Sequence, residues 1–306
     1  MKTLVRKGRT LRALAPQDLH AVVTIDASLG GRSRRDYFER RLAAAQRDPR
    51  GHLQLAVDED GALAGFVLGR TLEGEFGRTE PELRMEALGV KAAAQGRGLG
   101  AALSEAFEAA ARKLGLVEIR TAARWREHEM LRFLDRAGYR LAPVHVLDRA
   151  TEPDFAPELR DQIEVRVLEE KDIEGVARVD RRHTGRDRRG YLCRTLREAL
   201  ADSAVRVSLS ARVDGGIAGY AMARVDYGDF GRLEPVAVID TVGVDPLLAR
   251  QGIASALLSQ LFANLRALRV ERVETVVPAG GLDLMSFFYG AGFRPAERLS
   301  FLKALA

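Results

Sequence analysis

Sliding the sequence along itself by 154 positions brings it into register without a gap from about Thr10 to Asp148. In that register Asp26-Ala-Ser-Leu-Gly-Gly31-Arg32-Ser-Arg34-Arg35-Asp-Tyr37 falls on Asp180-Arg-Arg-His-Thr-Gly185-Arg186-Asp-Arg188-Arg189-Gly-Tyr191. Gly74, Phe76, Gly77 and Arg78 fall on Gly228, Phe230, Gly231 and Arg232, and Ala137-Gly138-Tyr139-Arg140 falls on Ala291-Gly292-Phe293-Arg294. Chance does not hold one register so long. The period is far too long for a solenoid unit, so it predicts two copies of one domain, each with its own core. The 306-residue length agrees with two domains of roughly 150 residues. The expected division is residues 1–148, a polar linker over 149–162 marked by Pro153 and Pro157, and residues 163–306. The second copy opens on the alternating pattern Ile163-Glu-Val165-Arg-Val167.

Each copy reads as the same series. In the first, a strand from Thr10 to Leu14 leads to a helix beginning near Pro16, and a second helix runs through Tyr37, Arg41 and Leu42. Leu53–Val57 and Leu63–Leu68 form a hairpin turned at Asp58–Gly61, and a fourth strand covers Glu82 to Val90. Leu99, Leu103, Phe107 and Leu114 share one face of a helix from about Gly98 to Leu114. A strand over Val117–Thr121, a short helix near Met130–Ala137 and a closing strand complete the unit. Interleaved helices and strands predict an α/β sandwich around a mixed sheet.

Composition narrows the class. With 46% hydrophobic and 30% charged residues the chain suits a soluble globular protein. No apolar run approaches the ~20 residues needed to span a bilayer, and Met1–Lys7 lacks the apolar core of a signal peptide. One cysteine, Cys193, excludes an internal disulfide framework. Cytoplasm is the expected compartment. The net charge of +5 is dispersed along the chain. That argues against bulk nucleic-acid binding and suits a protein that handles a polyanionic cofactor.

The sharpest motif is Leu88-Gly89-Val90-Lys-Ala-Ala-Ala-Gln95-Gly96-Arg97-Gly98-Leu99-Gly100, a strand delivering a glycine-rich turn into a helix N-terminus. Unpaired backbone N–H groups converge at such a turn, and the helix dipole favours an anion there. It has neither the Gly-Lys-Ser/Thr ending of a nucleotide P-loop nor the glycine spacing of a dinucleotide fold. Gln95-Gly96-Arg97-Gly98-Leu99-Gly100 resembles the Q/R-x-x-G-x-G/A signature of the GNAT superfamily, the acetyl-CoA-dependent N-acetyltransferases. The resemblance extends over both copies. It implies two tandem domains, each a mixed, mostly antiparallel sheet flanked by helices, with acetyl-CoA as cofactor. It places the CoA pyrophosphate on the loop amides and the pantetheine arm along Leu88 and Val90. The second copy matches with Val242, Val244, Arg250, Gln251, Gly252, Ile253 and Ala254, but departs from the signature at Ala249.

Acyl transfer to an amine needs a base for the amine and a proton for the departing thiolate. The resemblance puts a tyrosine before the last Gly-Phe pair, where the second copy has Tyr289 and the first has Asp135. Glu86 and Asp240 are equivalent mid-strand carboxylates, and strict alternation would set Glu86 on the face of Leu88 and Asp240 on that of Val242. Each is a candidate base, or else a structural partner for a nearby arginine. The cluster Arg32, Arg34, Arg35 and its repeat Arg186, Arg188, Arg189 fall where the superfamily lines its acceptor pocket. They could clamp an acceptor carboxylate or phosphate, or pair with Asp26 and Asp180. No histidine pair has metal-ligand spacing, so no metal is expected. The resulting expectation is an N-acyltransferase acting on a small-molecule or peptide amine, with chemistry in the second copy. The alternative is a non-catalytic acyl-CoA-binding module built from two degenerate copies.

Overall fold

The computed structural model describes residues 8–72, 81–202, 207–226 and 228–305, so Gly74–Arg78 of the repeated loop lie outside the described residues. The first copy runs β1 (Arg9–Ala13), α1 (Leu19–Gly30), α2 (Arg35–Arg47), β2 (His52–Glu59), β3 (Ala62–Leu72), β4 (Glu82–Val90), α3 (Leu99–Lys113), β5 (Glu118–Arg124), α4 (His128–Arg136), β6 (Arg140–Leu141) and β7 (Val144–Ala150). A short helix α5 (Leu159–Gln162) leads into β8 (Glu164–Val167), α6 (Ile173–Thr184), α7 (Arg189–Asp202), β9 (Leu209–Val213), β10 (Gly216–Asp226), β11 (Val236–Val244), α8 (Ile253–Ala267), β12 (Arg272–Pro278), α9 (Leu282–Gly290), β13 (Arg294–Pro295) and β14 (Arg298–Ala304). From β3 onward every element of the first copy has its counterpart displaced by the repeat period at both ends. Among the described residues no helix is long and apolar enough to cross a membrane.

The elements build two seven-stranded mixed sheets, ordered β1-β2-β3-β4-β5-β14-β6 and β13-β7-β12-β11-β10-β9-β8. Each copy's closing strand therefore lies in the sheet of the other copy. This corrects the expectation that a closing strand completes its own unit. β14 pairs antiparallel with β5 from Arg298–Arg124 to Ala304–Glu118, and β7 pairs with β12 from Val144–Pro278 to Ala150–Arg272. The division expected near residue 148 runs through β7, a strand of the second sheet.

A physical reason lies in the connections. Ala142-Pro143 joins β6 to β7, and Ala296-Glu297 joins β13 to β14. A two-residue hairpin needs positive φ, supplied by Gly, Asn or Asp, and Pro143 is locked at negative φ. Neither connection folds back easily, so the chain continues across to the other sheet. The crossing buries Phe301 and Leu305 in the first core and Leu147 in the second. At about 1.5–3 kcal/mol for each large buried side chain, the exchange contributes to both cores at once.

Each sheet has two apolar faces. In the first, Leu83, Met85 and Ile119 pack on Leu103 and Phe107 of α3, while Phe66 and Leu68 pack on Val22 and Ile25 of α1 and Phe38 of α2. The second repeats this with Ile239, Val273, Leu257 and Leu261 on one face and Tyr220, Met222, Val176 and Leu192 on the other.

Candidate active site

The site begins where two parallel strands separate. β4 pairs with β3 along its length, but with β5 only at Leu83–Ile119 and Arg84–Arg120. Likewise β11 pairs with β12 from Val236–Arg272 to Ile239–Thr275, then continues to Val244 paired with β10 but not with β12. At each parting a buried threonine replaces the lost ladder bond. Thr121 Oγ1 donates to the Met85 carbonyl at 3.0 Å, and Thr275 Oγ1 to that of Ile239 at 3.1 Å. Sequence reasoning missed both; their identity across the repeat was the available signal. Beyond them Leu88, Val90, Val242 and Val244 turn their side chains into the α3 and α8 cores. The peptide groups on the parted edge are left facing a wedge, where buried backbone needs another partner.

The glycine loop closes the end of that wedge. Gly96 and Gly98 hold φ values of 75° and 83°, and a Cβ at either would meet nothing within 4 Å. Glycine is thus required by backbone conformation, with open space above it. Ala102 N–H is bonded to the Gly98 carbonyl at 3.0 Å, and the amides of the first helical turn before it have no intrahelical acceptor. Gln95 Nε2 donates to the Val90 carbonyl at 3.1 Å, tying loop to strand, while exposed Arg97 reaches Glu59 at 3.0 Å. Leu99 is buried as an anchor, and Gly100 lies against Phe133 of α4.

The second loop reaches the same shape by other means. Gly252 has φ 81° and Ala256 N–H returns to its carbonyl at 2.8 Å, with Ile253 buried beneath. Arg250 stands where the first copy has Gly96 and holds φ 63°, a conformation costing an L-residue about 1–2 kcal/mol. Ala249 cannot make the tie that Gln95 makes. Instead the Asp245 side chain accepts from Leu247 N–H at 3.1 Å and pairs with Arg182. Arg250 and Gln251 are exposed, and Ala254 is half-buried. Open helical amides beside a parted strand edge fit coenzyme A in both copies: the loops for its pyrophosphate, the edges of β4 and β11 for its amide-bearing arm.

The candidate bases sit at a bulge. Leu68 faces Ala87 and Gly69 faces Met85, so Glu86 is the extra residue; Met222 faces Thr241 and Ala223 faces Ile239, so Asp240 is. An extra residue reverses the alternation. Glu86 therefore turns toward α2 with Ala87, opposite Leu88, and Asp240 likewise parts from Val242. This corrects the shared face expected from period-two spacing. Glu86 is 2% exposed. Arg70 Nε approaches it at 2.6 Å and Arg41 Nε at 3.1 Å. Burial pushes its carboxyl up, against the pull of Arg41 and Arg70. Asp240 pairs with Arg224 of β10, and it is half-buried beside half-buried Thr241.

The arginine clusters divide. Arg34 pairs with Asp26 at the end of α1, and Arg188 Nε lies 3.4 Å from Asp180. Both braces are buried between helix and loop, and Tyr220 donates to the same Asp180 at 2.8 Å. Arg32, Arg35, Arg186 and Arg189 are exposed. Arg189 pairs with Glu174 and, with Gly190, Cys193, Arg194 and Arg197, lines an open cavity of about 550 Å³ along α7. Tyr289 is 38% exposed on the outer side of α9, its ring 5.8 Å from the Arg294 guanidinium. Its neighbour Phe288 is the buried member of the pair. Arg294 lies against Tyr289, and Arg224 pairs with Asp240. Among the described residues no three His, Cys, Asp or Glu side chains converge as metal ligands.

Comparison with known proteins gives the same architecture. The acetyltransferase (GNAT) family profile matches residues 19–139 and again 173–293. The chain belongs to the GNAT family. Its two matches are displaced by the period that the sequence repeat predicts. Among solved structures, a GCN5-related N-acetyltransferase from Sphaerobacter thermophilus aligns at 20% identity with TM-score 0.64, covering 98% of this chain and 97% of that one. A tandem GNAT protein from the clavulanic acid biosynthesis pathway, in a form without AcCoA, aligns at 16% identity with TM-score 0.68, covering 97% and 99%. The glucosamine N-acetyltransferase region of a fungal multi-domain GH3 β-N-acetylglucosaminidase aligns at 14% identity with TM-score 0.69, covering 98% of this chain and 38% of that protein. At these identities the likeness is one of fold. A search of curated protein sequences returns no match.

Proposed function

We propose that this tandem GNAT protein transfers an acetyl group from acetyl-CoA to a primary amine, and that the second copy does the chemistry. The observation that carries the reading is the contrast between two equivalent carboxylates: Glu86 is sealed between Arg41 and Arg70, while Asp240, paired with Arg224, borders half-buried Thr241 on the parted strand. The cofactor supplies an acyl thioester, whose C–S bond breaks as the C–N bond to the amine forms. Asp240 takes the proton that the amine loses, directly or through one water. The amides before Ala256 hold the pyrophosphate. Tyr289 is the candidate donor to the departing sulfur, and its outward ring makes it the weaker of the two assignments. Arg189 on the α7 cavity suits an acceptor carrying an anionic group, and Arg186 is exposed three residues before it. The first copy binds the cofactor without transferring, which is where the non-catalytic reading finds its support.

Thiol release from acetyl-CoA across a panel of amines tests this. Asp240→Asn should abolish most of the turnover found, and Tyr289→Phe should lower it less. Unchanged turnover in both variants would remove the site assignment. Tight acetyl-CoA binding by calorimetry, with no turnover for any amine, would favour a binding module in both copies.

A further inference from the structure

The space beside Glu86 contains a side chain from the other copy. The segment Gly228–Arg232, following β10, reaches across to the first copy, and Asp229 is 1% exposed. Its Oδ1 accepts from Arg41 Nη2 at 2.7 Å, extending an alternating row Arg70, Glu86, Arg41, Asp229. Burial alone would raise the Asp229 pKa, but Arg41, Arg70 and Arg84 draw it well below the carboxylate range. Asp229 Oδ2 and the buried Tyr37 hydroxyl have no hydrogen-bond partner among the described residues.

The segment is built to seat there. Asp226 Oδ1 accepts from the amides of Gly228 and Asp229 at 3.0 Å each, folding the turn. The Gly228 carbonyl accepts from Arg34. A Cβ on Gly228 would stand 2.5 Å from the Tyr37 ring, so only glycine allows this approach. Phe230 holds φ 54° and sets its ring among the guanidinium groups of Arg84, Arg232 and Arg298, at 5.5, 5.9 and 5.7 Å.

We propose that the first copy's α2–β4 chamber is a carboxylate-binding site and that Asp229 is its tethered ligand, closing this copy to an acceptor while the loop is seated. That the chamber is an acceptor side rests on the acyltransferase reading; the carboxylate seat does not. Removing the tethered group should leave a cavity with the charge and shape for a small free carboxylate, as Arg41 Nη2 would lose its acceptor while Nε stays on Glu86.

The test is chemical rescue of the full chain. Asp229→Ala should lower the melting temperature by on the order of 5–10 °C. Sodium formate or acetate, against sodium chloride at equal ionic strength, should then restore part of it saturably, with no such difference in the wild type. Equal responses to formate and chloride, or the same formate response in the wild type, would overturn the seat. If Asp229→Ala does not fold, Asp229→Asn decides: it should melt below the wild type and stay indifferent to formate, because the chamber remains filled. Wild-type stability in Asp229→Asn would sink the proposal. No acyl-CoA or amine enters these measurements, so their failure is distinct from a failure to find acyl transfer.

Discussion

Glu86 and Asp240 occupy the same bulge in two copies of one fold, and their surroundings have diverged. Around Glu86 stand Arg41, Arg70 and, through Arg41, a carboxylate supplied by the other copy. At the positions equivalent to Arg41 and Arg84 the second copy has Thr195 and Val238; only Arg224 repeats Arg70. Asp240 keeps the pair with Arg224, while the arginines at the Arg41 and Arg84 positions are replaced. The bulge thus aims a carboxylate at the same place twice, each beside an arginine of the preceding strand, Arg70 or Arg224. A duplicated fold can keep geometry in both halves while the residues around it diverge.

The largest test breaks the mutual dependence of the two halves. A chain ending before Arg298 loses β14, the strand between β5 and β6 of the first sheet. The expected outcome is loss of the first copy's tertiary structure, seen in near-ultraviolet circular dichroism, although its own residues are intact. A first copy that keeps its native signal would show that the closing strands need not be exchanged.

A paired substitution then separates chemistry from structure. Asp240→Asn should reduce kcat/KM on the order of 100-fold or more, the usual scale of a lost general base, and lower stability as well by breaking the pair with Arg224. Glu86→Gln should leave turnover per folded molecule unaltered and cost about 3 kcal/mol in denaturant unfolding, as expected when one member of a buried ion pair is neutralised. The reverse pattern would move the active copy to the first half. Thr275→Val is a smaller probe of the parted strands. It strands the Ile239 carbonyl and should cost about 1–3 kcal/mol, with weaker acetyl-CoA binding by calorimetry.

Much of this arrangement was legible beforehand, and the exceptions have physical causes. The repeat set every element from β3 to β7 against its counterpart because hydrophobic spacing and turn residues were duplicated together. The glycine loop was readable because few side chains tolerate its dihedral angles. The strand exchange was not, since β7 and β14 come from the same ancestral strand and their patterns fit either sheet. Only the turn-incompatible pairs Ala142-Pro143 and Ala296-Glu297 pointed to it. The bulge was hidden for a similar reason: a single extra residue leaves composition unchanged while reversing the alternation. Arg34 and Arg188 stood open as clamp or brace, because charge content does not tell one from the other. Burial against Asp26 and Asp180 does.

The smallest expected effect sits in the loops. Arg250 holds φ 63° where the first copy has Gly96 at 75°. Arg250→Gly relieves a left-handed conformation worth about 1–2 kcal/mol, but glycine returns about 0.5–1 kcal/mol through the freedom of the unfolded chain. The net should be a stabilisation of roughly 0.5 kcal/mol. Gly96→Arg should do the opposite to the first copy, costing about the same. Binding separates the two roles of this position. If Arg250 is kept in its strained conformation for its charge, Arg250→Gly should weaken CoA binding severalfold even as the protein becomes more stable, and Gly96→Arg should strengthen binding to the first loop. If both substitutions move stability alone, the backbone amides suffice for the anion and the arginine is a tolerated replacement. Calorimetric titration of CoA beside a denaturant series on the same two variants distinguishes these outcomes, because a charge contribution falls with added salt and a dihedral preference does not.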